Sequence, residues 1–338
     1  MEKYFPVLAE AFGRLRTDLA GRPLAIIGHA RPDGDCIGSQ VALARVLMAL
    51  GHDVICVNAD CVPRRLEFLT QGLRFYRTDD LLALTAQRAA IYVDCADQAR
   101  AGERLKAHFA SPAASIDHHL SNLGFGAINL IDFGAAATCE ILAGLFFDAG
   151  LPIDALTAQA LYTGIVTDTG QFRFPATSQR CFLLSARLVE WGASPAAVGY
   201  QLYERETRGK LQLLQLFLAS LSIECEGRVC VGRLPVGIFA ETGTSGEDTE
   251  GMVDYARSIE GVEVGVLIEE RPEGVVKASL RAKDPAYRMD RIAAAFNGGG
   301  HACAAGLSIK METNEFHTRL LGLLREQIGV VAAASQKT

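Results

Sequence analysis

The chain has 338 residues, 49% of them apolar, which is enough to bury a full core and points to two domains rather than one. A net charge of −6 excludes a long basic groove for nucleic acid, so any phosphate ligand is expected to be small and held locally. The nine cysteines form no C-x-x-C pair, which argues against a disulfide framework or a zinc ribbon. With no apolar stretch of about 18 residues and no signal-peptide core in Met1 to Phe5, a cytoplasmic protein with no membrane partner is expected.

Residues 3 to 20 carry apolar positions at helical spacing, and Pro23 to Gly28 reads as a short buried strand. A polar loop, His29 to Asp35, leads into a helix from Cys36 to Leu50 that Gly51 closes. Further strands are expected at Asp53 to Asn58, Ala90 to Asp94 and Ala113 to Asp117, with helical segments between most of them. This alternation predicts an α/β domain with a doubly wound, mainly parallel sheet. Ligands on such sheets bind beyond the carboxyl ends of the strands, where His29, Asp94 and Asp117 stand.

From Ala136 to about Leu221 the pattern is almost wholly helical, with Asp168 at the end of a helix that begins at Asp154. Beyond it, Leu221 to Leu234 alternates around Glu226-Gly227-Arg228 as a hairpin, and Val262 to Ile268 pairs with Val275 to Leu280. The shift marks a second, smaller α+β domain. The expected divisions are 1–190 for the first domain, 191–215 for a helical linker, 216–331 for the second domain and 332–338 for a tail.

Chemistry-bearing residues cluster at the strand ends. His29, Asp33 and Asp35 stand close together in one loop, with Gly34 expected to let the turn fold tightly. They would converge on a cation, although Asp33 or Asp35 alone would serve equally well as the N-cap of the next helix. Asp94 ends a strand, where a carboxylate can give one oxygen to each of two cations; a turn or cap role is the alternative. His118 and His119 are expected to point to different sides, one as a metal ligand, the other as a phosphate contact, a proton handler or a structural histidine. Asp168 alone would read as a helix-end turn. Acids and imidazoles gathered at the mouths of buried strands are costly unless compensated, and a pair of divalent ions is the natural compensation.

In the second domain, Arg281 ends a strand where a guanidinium can grip a phosphate through two bonds. Gly298, Gly299 and Gly300 can bring backbone N–H groups close to a phosphate, and His301 follows them as a donor. A surface strand end and a plain turn are the alternatives for these two features. Phe172 or Phe174 could stack on a base, a core role being the alternative.

Together these segments resemble the DHH phosphoesterase superfamily. The likeness rests on His29-x-x-x-Asp33-Gly34-Asp35, Val93-Asp94-Cys95-Ala96-Asp97, Asp117-His118-His119 with Ser121-Asn122, and Thr167-Asp168-Thr169-Gly170-x-Phe172. It continues in Gly298-Gly299-Gly300-His301-x-x-x-Ala305-Gly306, which is similar to the glycine-rich motif of DHHA1 domains. Five motifs in family order make a far more specific signal than any one alone.

The resemblance implies a DHH catalytic domain joined by helices to a DHHA1 substrate-binding domain, with the active site in the interdomain cleft. It implies two divalent ions, Mn²⁺ first, one on His29, Asp33 and Asp94 and the other on Asp35, Asp94, His118 and Asp168. A metal-bridging hydroxide would attack phosphorus, with His119, His301 and Arg281 as the catalytic side chains. Arg281, Gly298, Gly299, Gly300, His301 and His119 would bind substrate. Asp117 would orient the histidines.

Within the superfamily, the length, the glycine-rich motif and the stretch Tyr203 to Leu211 look most like the NrnA-type nanoRNases. That implies hydrolysis of two- to five-nucleotide RNAs, including linear pGpG and pApA, to mononucleotides, with 3′-phosphoadenosine-5′-phosphate (pAp) phosphatase activity beside it. The expected partners are these short nucleotides and a second copy of the chain as a homodimer, with no long nucleic acid. A cyclic-dinucleotide phosphodiesterase, a single-strand DNA exonuclease, a family II pyrophosphatase and a non-catalytic nucleotide-binding protein are the rival readings.

Overall fold

The chain begins with helix α1 (Pro6–Asp18), which places a proline at its first position and buries Phe12 and Leu15. Strand β1 (Leu24–Ile27) follows and is buried along its whole length, as a strand covered on both faces must be. This computed structural model describes residues 3–83 and 87–335, and they divide into two units between Arg205 and Glu206.

In the first unit β1 leads into α2 (Gly34–Ala49), then β2 (Val54–Asn58), β3 (Phe75–Arg77), β4 (Ala89–Val93), α3 (Glu103–His108), β5 (Ala114–Asp117) and β6 (Ile128–Ile131). The six strands form one sheet in the order β3-β2-β1-β4-β5-β6, with every pairing parallel. Four further helices complete the unit: α4 (Thr138–Asp148), α5 (Ala155–Asp168), α6 (Gln179–Glu190) and α7 (Pro195–Tyr203). Leu24, Ile26, Ile91 and Val93 face a core with α2, α4 and α5, whereas Ala25, Ile27, Ala90 and Tyr92 face one with α3. The sheet is therefore doubly wound as expected, and the strand order reverses between β1 and β4. That reversal opens a crevice beyond the carboxyl ends of β1 and β4.

Strands β3 and β6 had no clear signature in the sequence. Both are short sheet edges, and Asn129 interrupts the apolar character of β6. Gly34 also differs from its expected role. Its backbone is not in the left-handed region, and a Cβ there would strike the Thr167 side chain. The glycine permits close packing of α2 on α5 rather than a tight turn.

The second unit contains α8 (Arg208–Ala219), β7 (Ser222–Glu224), β8 (Val229–Leu234), α9 (Ile238–Thr242), α10 (Met252–Ser258), β9 (Val264–Arg271), β10 (Val275–Ala282), α11 (Met289–Ala294), β11 (Gly299–His301), β12 (Ala304–Lys310) and α12 (Thr313–Ser335). Its sheet has the order β11-β12-β10-β9-β8-β7, antiparallel except for the parallel pair β8 and β9. Both expected hairpins form. Along β10, Val276, Ala278, Leu280 and Ala282 are buried in the core, and Lys277, Ser279 and Arg281 alternate with them on the other face. Among the described residues, no helix is long and apolar enough to cross a membrane.

Candidate metal centre

Five elements of the first unit bring their ends to the crevice at the strand reversal. His29 lies just beyond β1, Asp94 just beyond β4 and His118 just beyond β5, while Asp35 sits in the first turn of α2 and Asp168 closes α5. His29 Nδ1 donates to the Ala30 carbonyl at 2.9 Å, which turns Nε2 toward Asp94 Oδ2 at 3.4 Å and Asp33 Oδ1 at 3.7 Å. His118 is held the same way. Its Nδ1 donates to the Ala135 carbonyl at 3.3 Å, and its Nε2 stands 3.2 Å from Asp168 Oδ2, 3.6 Å from Asp94 Oδ1 and 4.0 Å from Asp35 Oδ2. A carbonyl can only accept, so both imidazoles carry a proton on Nδ1, which leaves Nε2 as the atom that faces the carboxylates and would bind a metal ion.

Asp94 is the hub. It is 2% exposed, and its two oxygens divide, Oδ2 toward His29 and Oδ1 toward His118 and His119. Its φ of 57° lies in the left-handed region, which aspartate tolerates better than most side chains. Its N–H donates to the Ile116 carbonyl at 3.0 Å, and Thr138 Oγ1 donates to Oδ1 at 3.2 Å.

Asp35 is fully buried, and its carboxylate accepts the Thr138 and Cys139 N–H groups at 2.6 and 2.9 Å. The N-terminus of α4 thus finds its capping acceptor in a site carboxylate, since its own N-cap, Ala137, has none. Asp33 is the N-cap of α2: its Oδ1 accepts the N–H groups of Asp35 and Cys36, both at 3.1 Å. Of the two acids considered for that role, it is Asp33 that fills it.

His118 and His119 do not diverge fully. Their ring centroids are 4.6 Å apart, and both approach Asp94 Oδ1, His119 Nδ1 at 3.7 Å. The buried Asp117 accepts His119 Nδ1 at 2.7 Å on one oxygen and Asn122 Nδ2 at 2.8 Å on the other, so it orients His119.

Proton affinities follow from this crowding. Burial and the neighbouring charges of Asp94 and Asp168 push the Asp35 carboxyl well above the usual carboxylate range. Asp168 rises to about 6 through burial, against the pull of His118. For His118, burial opposes the imidazolium, but Asp168, Asp35 and Asp94 outweigh it and raise the group to about 10. For His119 the same opposition from burial is outweighed chiefly by Asp117. Asp33 resists burial through His29 and the α2 amides and falls to about 2.

Three groups of donors, each with ligand atoms within 4.8 Å of one another, arise among the described residues: His29, Cys36 and Asp94; Asp94, His118 and His119; Asp35, His118 and Asp168. Asp94 belongs to two groups and Asp33 to none of them. Donors about 2.1 Å from a shared divalent ion stand roughly 3.0–3.4 Å apart, close to the 3.2 and 3.4 Å separations of His118 from Asp168 and His29 from Asp94. Carboxylates that repel one another, imidazoles with Nε2 directed inward and an acid shared by two groups of donors fit a pair of divalent ions. Thr138 and Cys36 were not anticipated from the sequence. Neither belongs to a recognisable spacing pattern, and only the packing of α4 and α2 brings them to the centre.

Phe172, considered for base stacking, is itself stacked on Phe182 with centroids 5.0 Å apart, and Phe174 lies over Gly170. The remaining candidates lie in the second unit. Arg281 is half-buried and donates from Nη1 to the Leu280 carbonyl at 3.1 Å. It shares a register row with Ala304 on β12 and His301 on β11. The His301 side chain lies outside the described part of the structure. Strand β11 is the sheet edge. A Cβ on Gly298 would strike the Gly306 carbonyl and Leu307, and one on Gly300 the Ala304 carbonyl and Ala305, whereas one on Gly299 meets nothing within 4 Å.

Comparison with known proteins agrees with this geometry. Residues 23–165 match the DHH family, N-terminal domain, and residues 226–328 match the DHHA1 domain. Fold, site and matches together define a two-domain phosphoesterase of the DHH type, a hydrolase of phosphoester bonds.

The chain is 32% identical over 307 residues to the bifunctional oligoribonuclease and PAP phosphatase NrnA of Thermus thermophilus, covering 90% of each protein. It is 26% identical to the protein of the same name from Bacillus subtilis, over 83% of this chain and 87% of that one. We conclude that the chain belongs to the DHH/DHHA1 phosphoesterase family, among its NrnA-type members. An exopolyphosphatase-related protein from Bacteroides fragilis shares the fold, with a TM-score of 0.88 at 23% identity over 96% of this chain and 97% of that one.

Proposed function

We propose that the chain hydrolyses RNAs a few nucleotides long, including linear pGpG and pApA, to mononucleotides, and removes the 3′-phosphate of pAp. His29, Asp33 and Asp94 would hold one divalent ion, Mn²⁺ by preference, and Asp35, Asp94, His118 and Asp168 the other. The observation that carries this reading is the division of the buried Asp94 carboxylate between His29 and the two histidines after β5. The names of the Thermus and Bacillus relatives support the choice of substrate.

A pair of divalent ions held there would lower the pKa of a water and offset the charge that builds on the phosphoryl oxygens. The protein's own contribution is orientation. The Ala30 and Ala135 carbonyls hold the His29 and His118 tautomers, and the α4 amides hold Asp35. His119 keeps its Nδ1 proton on Asp117 and, with its raised proton affinity, suits a phosphate oxygen. Arg281, the edge strand at Gly299 and Gly300 and His301 would grip a terminal phosphate, the Gly298 N–H being already given to the Ala293 carbonyl at 2.9 Å, and such a grip favours short substrates.

The test is a side-by-side Mn²⁺ assay on pApA, pAp, cyclic di-AMP and pyrophosphate, with a chelated control. Turnover of pApA first and pAp second is expected, and none after chelation. Preference for cyclic di-AMP or pyrophosphate would replace the substrate assignment, and turnover in chelator would remove the metal centre.

A further inference from the structure

Outside the motifs, one cluster of charged side chains reaches the metal centre through the main chain. Arg180, in the first turn of α6, donates from Nε to Glu140 Oε1 at 2.7 Å and from Nη1 to Asp132 Oδ2 at 3.3 Å. Glu140 is fully buried, and its other oxygen accepts the Ala136 N–H at 2.7 Å. Asp132 Oδ1 accepts the Gly134 N–H at 2.7 Å, and the Asp132 N–H donates to the Asp117 carbonyl at 3.2 Å. One guanidinium thus ties together both ends of the segment 132–140.

Three site residues depend on what lies between those ends. The Ala135 carbonyl accepts His118 Nδ1, the Thr138 and Cys139 amides bind Asp35, and Thr138 Oγ1 reaches Asp94. Glu140 sits at the third position of α4 and reaches back to the chain before the N-cap, as in half of a capping box. The guanidinium also lies over the Phe5 ring, 4.1 Å from its centroid, which limits its freedom. A buried ion pair adds little to stability over an apolar pair of equal shape. Its value here is the geometry of a loop whose carbonyl and amides must face the centre.

We propose that Arg180, together with Glu140, is a positioning residue for the ion held by Asp35, Asp94, His118 and Asp168, acting through the segment 132–140. This rests on the two-ion reading above. Partners that orient metal ligands typically change metal affinity by about 10–100-fold when removed. The loss should fall chiefly on one ion, because the hydrogen bonds and ion pairs described for His29 and Asp33 do not reach the segment, and Thr138 meets the shared Asp94 on Oδ1, the oxygen toward His118, and not on Oδ2, which faces His29.

The test is Mn²⁺ titration of the full chain by calorimetry, comparing wild type, Arg180→Met, Arg180→Lys, Glu140→Gln and His118→Ala, with melting curves in chelator. Arg180→Met should weaken one of two Mn²⁺ sites by roughly 10–100-fold and leave the other site and KM at saturating Mn²⁺ unchanged, while the metal-free melting temperature falls because Glu140 stays buried without its cation. Arg180→Lys, able to reach one end of the loop, and Glu140→Gln should lie between. Arg180→Met should cost less in the His118→Ala background than in wild type, since part of its route is already lost. Equal weakening of both sites, unchanged binding, or full additivity with His118→Ala would overturn the proposal. A wild type that binds no pair of ions would instead overturn the two-ion reading, and this inference with it.

Discussion

The two units carry their candidate residues in opposite ways. In the first, the acids and imidazoles sit at the carboxyl ends of a parallel sheet, and Asp35, Asp94 and His29 are almost wholly buried. Carbonyls hold the histidines and helix amides hold Asp35, while the Asp94 carboxylate accepts from the Thr138 hydroxyl. In the second unit, Arg281 lies on β10 and Gly299 to His301 on the edge strand β11 of an open, mostly antiparallel sheet, with much less burial around Arg281. Metal ligands must be oriented before an ion arrives, because desolvated donors in the wrong place are costly. A phosphate grip needs charge and edge amides, which work at a half-exposed surface.

Breaking the hub of the first unit should have the largest effect. Asp94→Asn keeps a residue that tolerates the left-handed backbone yet removes the charge shared by both groups of donors. Hydrolysis of pApA should fall to background with an unchanged circular dichroism spectrum; substantial Mn²⁺-dependent turnover would dismiss Asp94 as the bridging acid. Asp94→Ala is the poorer variant, since the left-handed backbone adds roughly 1–2 kcal/mol of strain that is unrelated to metal.

In the second unit, Arg281→Ala should raise KM for pApA by about 10–100-fold, the equivalent of the roughly 1.5–3 kcal/mol of a charged hydrogen bond. Mn²⁺ binding should stay as in wild type. A change in Mn²⁺ affinity without a change in KM would move Arg281 out of substrate capture. The smallest effects sharpen the contrast within the glycine motif. Gly298→Ala should cost about 1–3 kcal/mol in thermal unfolding because its Cβ meets the β12 backbone. Gly299→Ala should leave stability unchanged and raise KM modestly, and equal melting losses for both would show that the motif serves packing alone.

Much of this architecture was legible in the chain. The apolar runs at β1, β4 and β5 and the helical spacing between them announced a parallel sheet, and the positions of His29, Asp94 and Asp117 at strand ends followed. The edge strands β3 and β6 were not, because three or four residues carry too little periodicity to read. Nor was the parallel pairing of β8 with β9, which depends on where the chain returns rather than on local pattern. Gly34 looked like a turn residue, and its packing reason appears only when Thr167 comes beside it from a helix far along the chain.

The sequence by itself determined which residues are candidates for the chemistry. Acid and imidazole side chains at the ends of buried strands have few inexpensive fates, and their order along the chain matches one family. The tertiary structure alone decided how they are used. It put the cap of α2 on Asp33 and the cap of α4 on Asp35, divided the oxygens of Asp94, and aimed both Nε2 atoms inward through the carbonyls of Ala30 and Ala135. It also enlisted Thr138, Glu140 and Arg180, which no spacing rule connects to the site. The physical reason is that a hydrogen bond's direction depends on where distant segments pack, whereas the presence of a donor or acceptor is written in the residue itself.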